Sequence, residues 1–425
     1  MFIKNFHHLA TTPERKIVLE LVETALESIQ PAEVFKNNIV RHGNVLRIVD
    51  HEYNLDEFNR VFVLGFGKGS AGNTKLLENL IEDKITDGWV IDTEGEKFKK
   101  IEFTKGTHPL PSEANYKFTK KIISNLSGLT KKDLVLIVIC GGGSAMLVAP
   151  HAITLKQKID VGRALLKSGA NIKEMNIVRN HLSDVKGGGL AGILYPAKVA
   201  TLIYSDAPGN DLSTIASGPT VHDGSTIEDA KHIIKKYGIE KEIKIPEKAF
   251  VEKPKERKFF NNISNILVLS NETALLAMQK RAKELGHKAE IFSDRFQSDA
   301  KEAAHKLIRD THPSTILLVG GETTVHVGKK AGKGGRNQEV VLGALDRVGH
   351  DMTICSFDSD GWDNSENAGA IGDYKTVDKA QSLGIKPEGF LDTNSSFDFF
   401  EKTGDALDTG RLPSNVSDLI IILRK

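Results

Sequence analysis

The sequence predicts an α/β protein of two domains. Short apolar runs, each followed by a glycine-rich turn and a helix-like pattern, recur along the chain and are typical of buried parallel strands that alternate with helices. A charged stretch interrupts this alternation once, and the alternation resumes after it. The length of 425 residues is enough for two or three separate hydrophobic cores.

The first predicted element is an amphipathic helix near the N-terminus. Thr11 and Glu14 have the spacing of a capping box, and apolar residues then recur at helical spacing until Pro31 ends the pattern. The strands of the N-terminal half follow from four apolar runs: RVFVLG at 60–65, GWVID at 88–92, DLVLIVIC at 133–140 and VATLIYS at 199–205.

A lysine-rich segment separates the two halves. We predict that residues 241–262 form a charged, solvent-exposed linker between an N-terminal domain, 1–240, and a smaller α/β C-terminal domain, 263–425. The strands of the C-terminal half follow from the runs NILVLS, KAEIFS, TILLVGG, MTICSFD and DLIIILR.

Composition narrows the class of protein. Lys and Arg number 57 against 56 Asp and Glu, so no excess of positive charge is available to bind nucleic acid or an anionic membrane. Cys140 and Cys355 each end an apolar run, which favours buried free thiols and a reducing compartment. The N-terminus lacks the apolar stretch of a signal peptide, and no apolar run could span a bilayer, so we expect a soluble, cytoplasmic protein.

The loops that follow the strands are where open α/β sheets bind ligands. The first loop, GFGKGSAGN, combines Gly67, which permits close backbone approach, with Lys68, which supplies a positive charge. It therefore predicts an anion-binding turn that contains a lysine. Two other interpretations stay open: a dinucleotide site with Asp92 as its ribose-binding acid, for which the G-x-G-x-x-G fingerprint is only half met, and a tight turn without a ligand.

Further loops repeat this combination of glycine, hydroxyl and charge. They are CGGGSAMLVAP at 140–150, SDAPGNDLSTIASGPTVHD at 205–223, GGETTV at 320–325, GKGGRNQE at 332–339 and SFDSDGWDN at 356–364. Phosphoryl transfer needs such cations, backbone donors and carboxylates, and hydride transfer does not. The candidates are the cations Lys68, Arg336, Arg179 and Lys186 and the carboxylates Asp206, Asp211, Asp358, Asp360 and Asp363. No P-loop or protein-kinase motif occurs, so a different cradle would hold a nucleotide.

At these residues the sequence resembles the type II glycerate kinase family, whose chains pair a Rossmann-like N-terminal domain with a smaller α/β C-terminal domain. The resemblance covers nearly the whole chain and rests on ordered stretches: GFGKGSAGN, THPLPSE, CGGGSAM, NIVRNHLSDVKGGGLA, SDAPGNDLSTIASGPTVHD, GGETTV, KGGRNQE, SDGWDN with AGAIGD, and DTGRLPSNVSDL. It implies ATP-dependent phosphorylation of D-glycerate with a divalent cation, usually Mg²⁺. The product would be 2-phosphoglycerate or, as in some members, 3-phosphoglycerate.

The resemblance also implies roles for single residues. The family's lysine in the first loop matches Lys68 and its arginine in G-G-R-N-Q matches Arg336, and both are implicated in activity there. We expect an active site in the cleft between the domains, with Asp206 or Asp211 accepting the hydroxyl proton or binding metal. Asp206 and Asp360 are the candidate metal ligands. We assign nucleotide binding to Gly67, Gly141, Gly142, Gly143, Ser144, Ser217, Gly218, Glu322 and Thr323.

Departures from the family pattern bear on substrate range. Asn210 stands where the family often has a second aspartate, Gly189 where it usually has arginine, and GRLPSN where GPTGTN is common. The C2 hydroxyl is the expected acceptor, with C3 left open. A hydroxypyruvate reductase that uses a nicotinamide cofactor and a non-catalytic sugar-acid or nucleotide sensor are the alternatives. We expect no nucleic-acid or membrane partner, and a homodimer is the default expectation.

Overall fold

The computed structural model describes residues 1–328 and 331–425. Its α-helices are α1 (Phe6–Leu9), α2 (Pro13–Ser28), α3 (Pro31–Asn38), α4 (Ser70–Ile81), α5 (Glu113–Asn125), α6 (Gly143–Met146), α7 (Leu155–Lys167), α8 (Ile172–His181), α9 (Gly189–Leu194), α10 (Ile227–Lys236), α11 (Ile239–Glu242), α12 (Asn271–Glu284), α13 (Ala300–Asp310), α14 (Arg336–Ala344), α15 (Tyr374–Ser382), α16 (Pro387–Asp392) and α17 (Ser396–Thr403). Its strands are β1 (Ile39–His42), β2 (Val45–Ile48), β3 (His51–Asn54), β4 (Arg60–Phe66), β5 (Asp87–Asp92), β6 (Ile101–Lys105), β7 (Asp133–Ile139), β8 (Lys198–Tyr204), β9 (Ile263–Leu269), β10 (Lys288–Phe296), β11 (Thr315–Gly321), β12 (Met352–Asp358), β13 (Gly369–Asp373), β14 (Ala406–Leu407) and β15 (Asp418–Arg424). Short 3₁₀ turns lie at Leu55–Glu57, Glu82–Lys84, Pro208–Asn210, Ile215–Ser217, Glu247–Ala249 and Arg257–Phe259.

The chain divides into two compact units. Unit 1 consists of Met1–Val34, Asp206–Gly209 and Leu269–Lys425, and unit 2 consists of Phe35–Ser205 and Asn210–Val268. The predicted α/β class is confirmed, because helices and strands alternate along the chain and most of the strands form two six-stranded sheets. The boundaries differ from the predicted 1–240 and 263–425, since the N-terminal helices belong with the C-terminal half and β9 belongs to the sheet of unit 2.

Unit 2 is built on a sheet with the strand order β6-β5-β4-β7-β8-β9. The pairs β6–β5, β5–β4, β4–β7 and β7–β8 are all parallel, which confirms the predicted parallel sheet. Every residue of β7 is buried, as a central parallel strand covered on both faces requires. The order is that of a doubly wound sheet, whose connections reverse direction between β4 and β7. A small antiparallel sheet, β1-β2-β3, precedes it.

Unit 1 contains a mixed sheet with the order β10-β11-β15-β12-β13-β14. Only β10 and β11 pair in parallel there, and the other neighbours are antiparallel. Helices α13 and α14 pack together over this sheet, and α2 packs against α12. The unit therefore takes its second layer from helices at both ends of the chain.

The N-terminal helix is held in unit 1 by a buried arginine. Arg15 donates to both oxygens of Asp373, at 2.8 and 2.7 Å, and to Asp405 at 2.6 Å. The helix begins at Pro13 and is capped by Thr12, whose hydroxyl accepts from the N–H of Arg15, so the predicted capping residue Thr11 lies one position too early. Local pattern locates such a helix but cannot identify partners that lie 358 positions away.

The segment 241–262 is not a solvated linker. It lies wholly within unit 2, where the N–H of Val251 donates to the carbonyl of His181 at 2.9 Å. Ala249 is fully buried and Lys253 is only 3% exposed. Its charged composition suggested an exposed arm, but its apolar residues and one lysine pack against the helices of unit 2.

The expectation for the cysteines is confirmed. Cys140 and Cys355 are both buried free thiols, and burial raises the pKa of Cys355. Among the helices of residues 1–328 and 331–425, none combines the length and the apolar character that crossing a bilayer requires.

Candidate functional site

Two glycine-rich turns meet where the unit 2 sheet reverses direction. They follow β4 and β7, and open α/β sheets bind ligands at this point. The N–H of Lys68 donates to the carbonyl of Gly141 at 2.8 Å, which joins the two turns. Gly67 has φ of +114°, and a Cβ there would lie 2.3 Å from the carbonyl oxygen of Cys140. Only glycine fits that position, as the predicted close approach requires.

Lys68 lies at the exposed tip of the first turn. Within the described residues its side chain forms neither a hydrogen bond nor an ion pair. Burial, and to a smaller extent the charge of Lys68, lower the pKa of His108. The ring of His108 faces the second turn, because a Cβ on Gly142 would lie 2.6 Å from the Cδ2 of His108. The lysine ammonium is therefore the cation that the two turns offer to an anion.

The second turn is tied to a strained turn after β8. The hydroxyls of Ser144 and Ser217 share a hydrogen bond of 2.8 Å, and the Cβ of Ala216 lies 3.0 Å from the point where a Cβ of Gly143 would be. Ala216 and Ser217 have φ of +52° and +63°. This conformation costs on the order of 1–2 kcal/mol for each non-glycine residue, and such strain concentrates at ligand sites.

The loop before α9 completes this group of turns. Lys186 is 2% exposed, and its Nζ donates to the carbonyl of Ser144 at 2.8 Å. The N–H of Gly188 donates to the carbonyl of Gly218 at 2.8 Å. Arg179, at the end of α8, is half-buried. The structure thus brings together in unit 2 the predicted residues Gly67, Lys68, Gly141, Gly142, Gly143, Ser144, Ser217 and Gly218.

A cavity of about 410 Å³ opens beside the 217–218 turn in unit 2. Asp211 lines it and is held by the N–H and the hydroxyl of Ser213, at 2.9 and 2.7 Å. Asn180 also lines it, and its Oδ1 is buried without a hydrogen-bond partner among the described residues. The volume lies in the range of small-molecule pockets. The rest of the wall includes Gly187, Gly218, His222 and Asp223.

Asp92 is already engaged, which disfavours the dinucleotide interpretation. It is 3% exposed and accepts from the N–H groups of Ala71 at 3.0 Å and Thr93 at 2.6 Å. Burial raises the pKa of Asp92, and these donors oppose the rise. Its carboxylate binds the first turn of α4, so it lacks the exposure that contact with a ribose would need.

In unit 1, Arg336 begins α14 and is surrounded by carboxylates. It donates to Glu322 at 2.6 Å, to Asp358 at 3.2 Å and to Asp418 at 2.7 Å. A guanidinium has five N–H donors, so two of them have no partner among the described residues. These two donors, on a side chain that is 29% exposed, are what Arg336 can offer a ligand.

Burial and mutual repulsion set the ionisation of this cluster. Burial raises the pKa of Asp358, and the charges of Asp418 and Asp360 raise it further. Burial likewise raises the pKa of Asp418, and Arg336 opposes the rise. For Arg336 itself burial favours the neutral form, but the carboxylates outweigh it and raise its pKa. The arginine is thus permanently charged, and its charge stabilises the ionised forms of the buried carboxylates Asp358 and Asp418.

Glu322 and Thr323, which the sequence assigned to nucleotide binding, directly follow β11. The carboxylate of Glu322 is used by Arg336. The hydroxyl of Thr323 is buried without a partner among the described residues. An unpaired buried hydroxyl costs about 1–3 kcal/mol, which a ligand contact would recover.

The candidate metal ligands can supply only part of a coordination shell. The carboxylate of Asp360 accepts from the N–H of Trp362 at 2.9 Å, and Asp206 is half-buried after β8. Within 1–328 and 331–425, no group of three or more His, Cys, Asp or Glu side chains is arranged to bind a metal. Mg²⁺ that accompanies phosphates usually takes only one or two protein carboxylates. Two carboxylates, such as the predicted Asp206 and Asp360, would be enough for that mode of binding.

Two departures from the family pattern have structural explanations. Asn210 has φ of +53°, a conformation that asparagine tolerates, and its Oδ1 is buried without a partner in the described part of the chain. A Cβ on Gly189 would lie 2.2 Å from the carbonyl oxygen of Asp184, so this backbone excludes a side chain there. The ammonium of Lys253 lies 3.9 Å from the same point and supplies positive charge beside it.

Three charged residues of these groups were not predicted from the sequence. Lys158 and Lys253 lie close enough to Lys186 to lower its pKa, although burial lowers it more. Lys158 lies two positions after Lys156 on a helix with many polar residues, and Lys253 lies in the predicted linker, so neither position carried a signal. Asp418 contacts Arg336, and the tail stretch DTGRLPSNVSDL that contains it was the available indication.

Comparison with protein families gives two matches. Residues 17–251 match a domain of unknown function, DUF4147, and residues 315–418 match the MOFRL family. Together they cover the glycine-rich turns of unit 2 and the Arg336 cluster of unit 1.

Relatives align over almost the whole chain. A glycerate 2-kinase of Pyrococcus horikoshii is 32% identical, with 96% of this chain and 97% of the relative aligned. A D-glycerate 2-kinase of Thermotoga maritima is 34% identical at the same coverage. The crystal structure of a glycerate kinase from Thermotoga maritima superposes with a TM-score of 0.84 at 31% identity and covers 96% of this chain and 99% of its own. A protein of Agrobacterium vitis that is provisionally named a hydroxypyruvate reductase is 35% identical over 96% of this chain and 94% of its own.

Proposed function

The chain belongs to the type II glycerate kinase family, and on that premise we propose that it transfers the terminal phosphoryl group of ATP to the C2 hydroxyl of D-glycerate. The products are 2-phosphoglycerate and ADP. The observation that carries the proposal is the exposed Lys68 between two glycine turns at the switch point, because it is a cation without a protein partner among the described residues. An anionic substrate would supply that partner.

The reaction is a displacement at phosphorus. The C2 oxygen forms a bond to the γ-phosphorus, the bond from that phosphorus to the β,γ-bridging oxygen breaks, and the hydroxyl proton passes to Asp206 or Asp211. Lys68 and the two unpaired N–H donors of Arg336 bind the carboxylate of glycerate and the transferring phosphoryl group. Their role is to orient the reactants and to stabilise the charge that develops on the phosphoryl oxygens.

The glycine turns bind the nucleotide. The turn at 141–144 and the turn at 217–219 present main-chain N–H groups and the paired hydroxyls of Ser144 and Ser217. Such consecutive donors in left-handed and right-handed conformations form a concave site for anions. Asp206 and Asp360 would hold Mg²⁺, which neutralises charge on the β- and γ-phosphates when bound.

A coupled assay tests both the reaction and the acceptor carbon. The purified protein is incubated with ATP, Mg²⁺ and D-glycerate, and the product is offered to enolase with and without phosphoglycerate mutase. Signal through enolase alone is the expected result, since enolase consumes 2-phosphoglycerate. Signal only after mutase is added would move the phosphorylation to C3. ADP formation without phosphoglycerate, or no reaction, would overturn the proposal.

Hydroxypyruvate reduction is the second candidate function, favoured by the name of the Agrobacterium vitis relative. The engaged carboxylate of Asp92 speaks against it, because a nicotinamide dinucleotide would lack its ribose contact. Oxidation of NADH by hydroxypyruvate, followed by absorbance in the same protein preparation, decides between the two. The kinase proposal expects no oxidation above the rate without protein.

A further inference from the structure

Four basic side chains of unit 2 lie close together beside the second glycine turn. They are Lys158 on α7, Arg179 on α8, Lys186 in the loop before α9, and Lys253, and we call them the basic cluster. The Nζ of Lys158 donates to the carbonyl of Arg179 at 3.4 Å, and the Nζ of Lys253 donates to the carbonyl of Ser183, three residues before Lys186, so direct contacts connect the segments that carry the cluster. Lys186 ties the cluster to the turn through its 2.8 Å bond to the carbonyl of Ser144.

Carboxylates lie near the basic cluster, but none is paired with it. Within residues 1–328 and 331–425, none of its members forms an ion pair, and Arg179 makes no side-chain hydrogen bond at all. The three lysines donate only to main-chain carbonyls, of Arg179, Ser144 and Ser183. The charges of Asp184, Asp223 and Glu252 act on Lys253, and that of Asp184 also acts on Lys158, but Asp184 is bonded to His151 at 2.5 Å and Asp223 to Asn180 and Ser225. Lys186 and Lys253 are therefore buried, and Lys158 and Arg179 half-buried, without the direct ion pair that buried charges normally have.

The arrangement is costly to the protein by itself. Burial, and to a smaller extent the charges of Arg179 and Lys253, lower the pKa of Lys158 to about 7. Burial lowers the pKa of Lys253 to about 8. Removing an ion from water without a partner costs several kcal/mol, so nothing in the protein's own contacts explains four such groups in one place. The strained Ala216–Ser217 turn adjoins the same glycine turn and is a second, independent sign of a ligand site.

We propose that the basic cluster binds the polyphosphate chain of the nucleotide, with Lys158 and Arg179 in direct contact and Lys186 and Lys253 acting as buried supporting charges. The assignment rests on the proposed kinase function and names residues for its nucleotide subsite. Lys158 and Arg179 are half-buried and so keep part of each side chain open to a ligand, whereas Lys186 and Lys253 are almost fully buried. Four basic groups, whose protonated forms a bound anion favours, match the several charges of a polyphosphate, while the single charge of glycerate needs only one of them.

Binding of inorganic tripolyphosphate and of ADP, measured by calorimetry, tests the proposal on the full-length protein. Arg179→Gln and Lys158→Met each remove one basic group of the cluster. Arg163→Gln and Lys156→Met are the controls, because they remove exposed charges from α7, the helix that carries Lys158. A charge-assisted contact is worth about 1.5–3 kcal/mol, so each cluster variant should bind both ligands roughly 10-fold to 100-fold more weakly. The controls should bind as the wild type does.

Steady-state kinetics separates the two substrates. We expect the KM for ATP to rise in Arg179→Gln and Lys158→Met while the KM for D-glycerate stays within about twofold of the wild-type value. A rise confined to the KM for D-glycerate, or unchanged binding of tripolyphosphate and ADP in both variants, would overturn the proposal. Because tripolyphosphate binding requires no turnover, it would remain measurable even if the protein failed to phosphorylate glycerate. Thermal denaturation of each variant distinguishes loss of binding from loss of fold.

Discussion

The main-chain N–H of Lys68 donates to the carbonyl of Gly141, and this 2.8 Å hydrogen bond joins the turns that follow two neighbouring parallel strands. The bond forms because Gly67 lets the first turn pass within contact of Cys140. The position of the lysine ammonium therefore depends on a residue that has no side chain.

Gly67→Ala should disrupt this junction. The new Cβ would lie 2.3 Å from the carbonyl oxygen of Cys140 at a φ of +114°, so the turns must separate. We expect a loss of stability of about 2–4 kcal/mol and a turnover reduced at least tenfold, measured by urea denaturation and the coupled assay. Gly72→Ala, where a Cβ meets nothing within 4 Å, is the control and should be neutral or slightly stabilising. Equal behaviour of the two variants would contradict the interpretation.

Lys68→Ala should remove activity without affecting the fold. The side chain is exposed and has no partner in the described part of the chain, so its loss leaves no unpaired group. We expect turnover to fall by several orders of magnitude while the melting temperature stays within about 1 °C of the wild type. Lys97→Ala, another exposed lysine, serves as the control. A Lys68→Ala variant that is nearly as active as wild type would remove the lysine from its assigned role.

Arg336→Met should be destabilising in a pH-dependent way. The variant leaves Asp358 and Asp418 buried without their cation, which costs about 3–5 kcal/mol when both are ionised. Their pKa values are already raised by burial, so both become protonated as the pH falls and the penalty disappears. We expect a larger loss of stability at pH 8 than at pH 5, compared with the exposed control Arg347→Met. A loss that does not change with pH would contradict this account.

Lys158→Met should stabilise the unliganded protein. Burial depresses the pKa of Lys158 from 10.5 to about 7, so the unfolded chain holds a proton that the folded chain releases between these values. The stability of the wild type falls as the pH drops through that window, and the loss is complete below pH 7. Because the side chain is only half-buried, we expect a gain of about 1–3 kcal/mol at pH 7 that vanishes near pH 10.5. Lys156→Met should show no such gain, and a destabilised Lys158→Met would indicate a structural role.

Arg15→Gln should weaken unit 1. The substitution leaves Asp373 and Asp405 buried without their shared cation, at a cost of about 3–5 kcal/mol. Chemical denaturation should report that loss, while the exposed neighbour variant Lys16→Gln should lie within about 0.5 kcal/mol of wild type. Similar curves for the two variants would show that the buried network contributes little.

The strands were predictable because their signal is local. The runs at 60–65 and 133–140 are apolar and lead into glycine-rich turns, and they form the central strands β4 and β7. The glycine turns were predictable for the same reason, since a costly residue in a short loop indicates close backbone approach. What a local pattern predicts is an element together with the turn that ends it.

The unpredicted features depend on partners that are remote in the chain. Arg15 looks like a residue on the polar face of a helix, and only Asp373 and Asp405 explain its burial. Lys253 lies among charged residues, yet it packs beneath the loop at 183–189 and donates to the carbonyl of Ser183. Charge and periodicity describe a segment alone, whereas burial of a charge depends on the group that it meets.

Because unit 1 combines residues 1–34 with residues 269–425, its parts become available for folding at different times during synthesis. When α2 leaves the ribosome, α12 and the strands of its sheet have not yet been made, and its apolar residues Val18, Leu21 and Val22 have no surface to cover them. Residues 35–205 and 210–268 emerge next and can form unit 2 before the partners of the N-terminal helix have been made. The helix finds its complete binding surface only after β15, Asp418–Arg424, has been made. The apolar face of α2 is therefore uncovered while residues 35–268 are being made, and it needs protection from aggregation during that time.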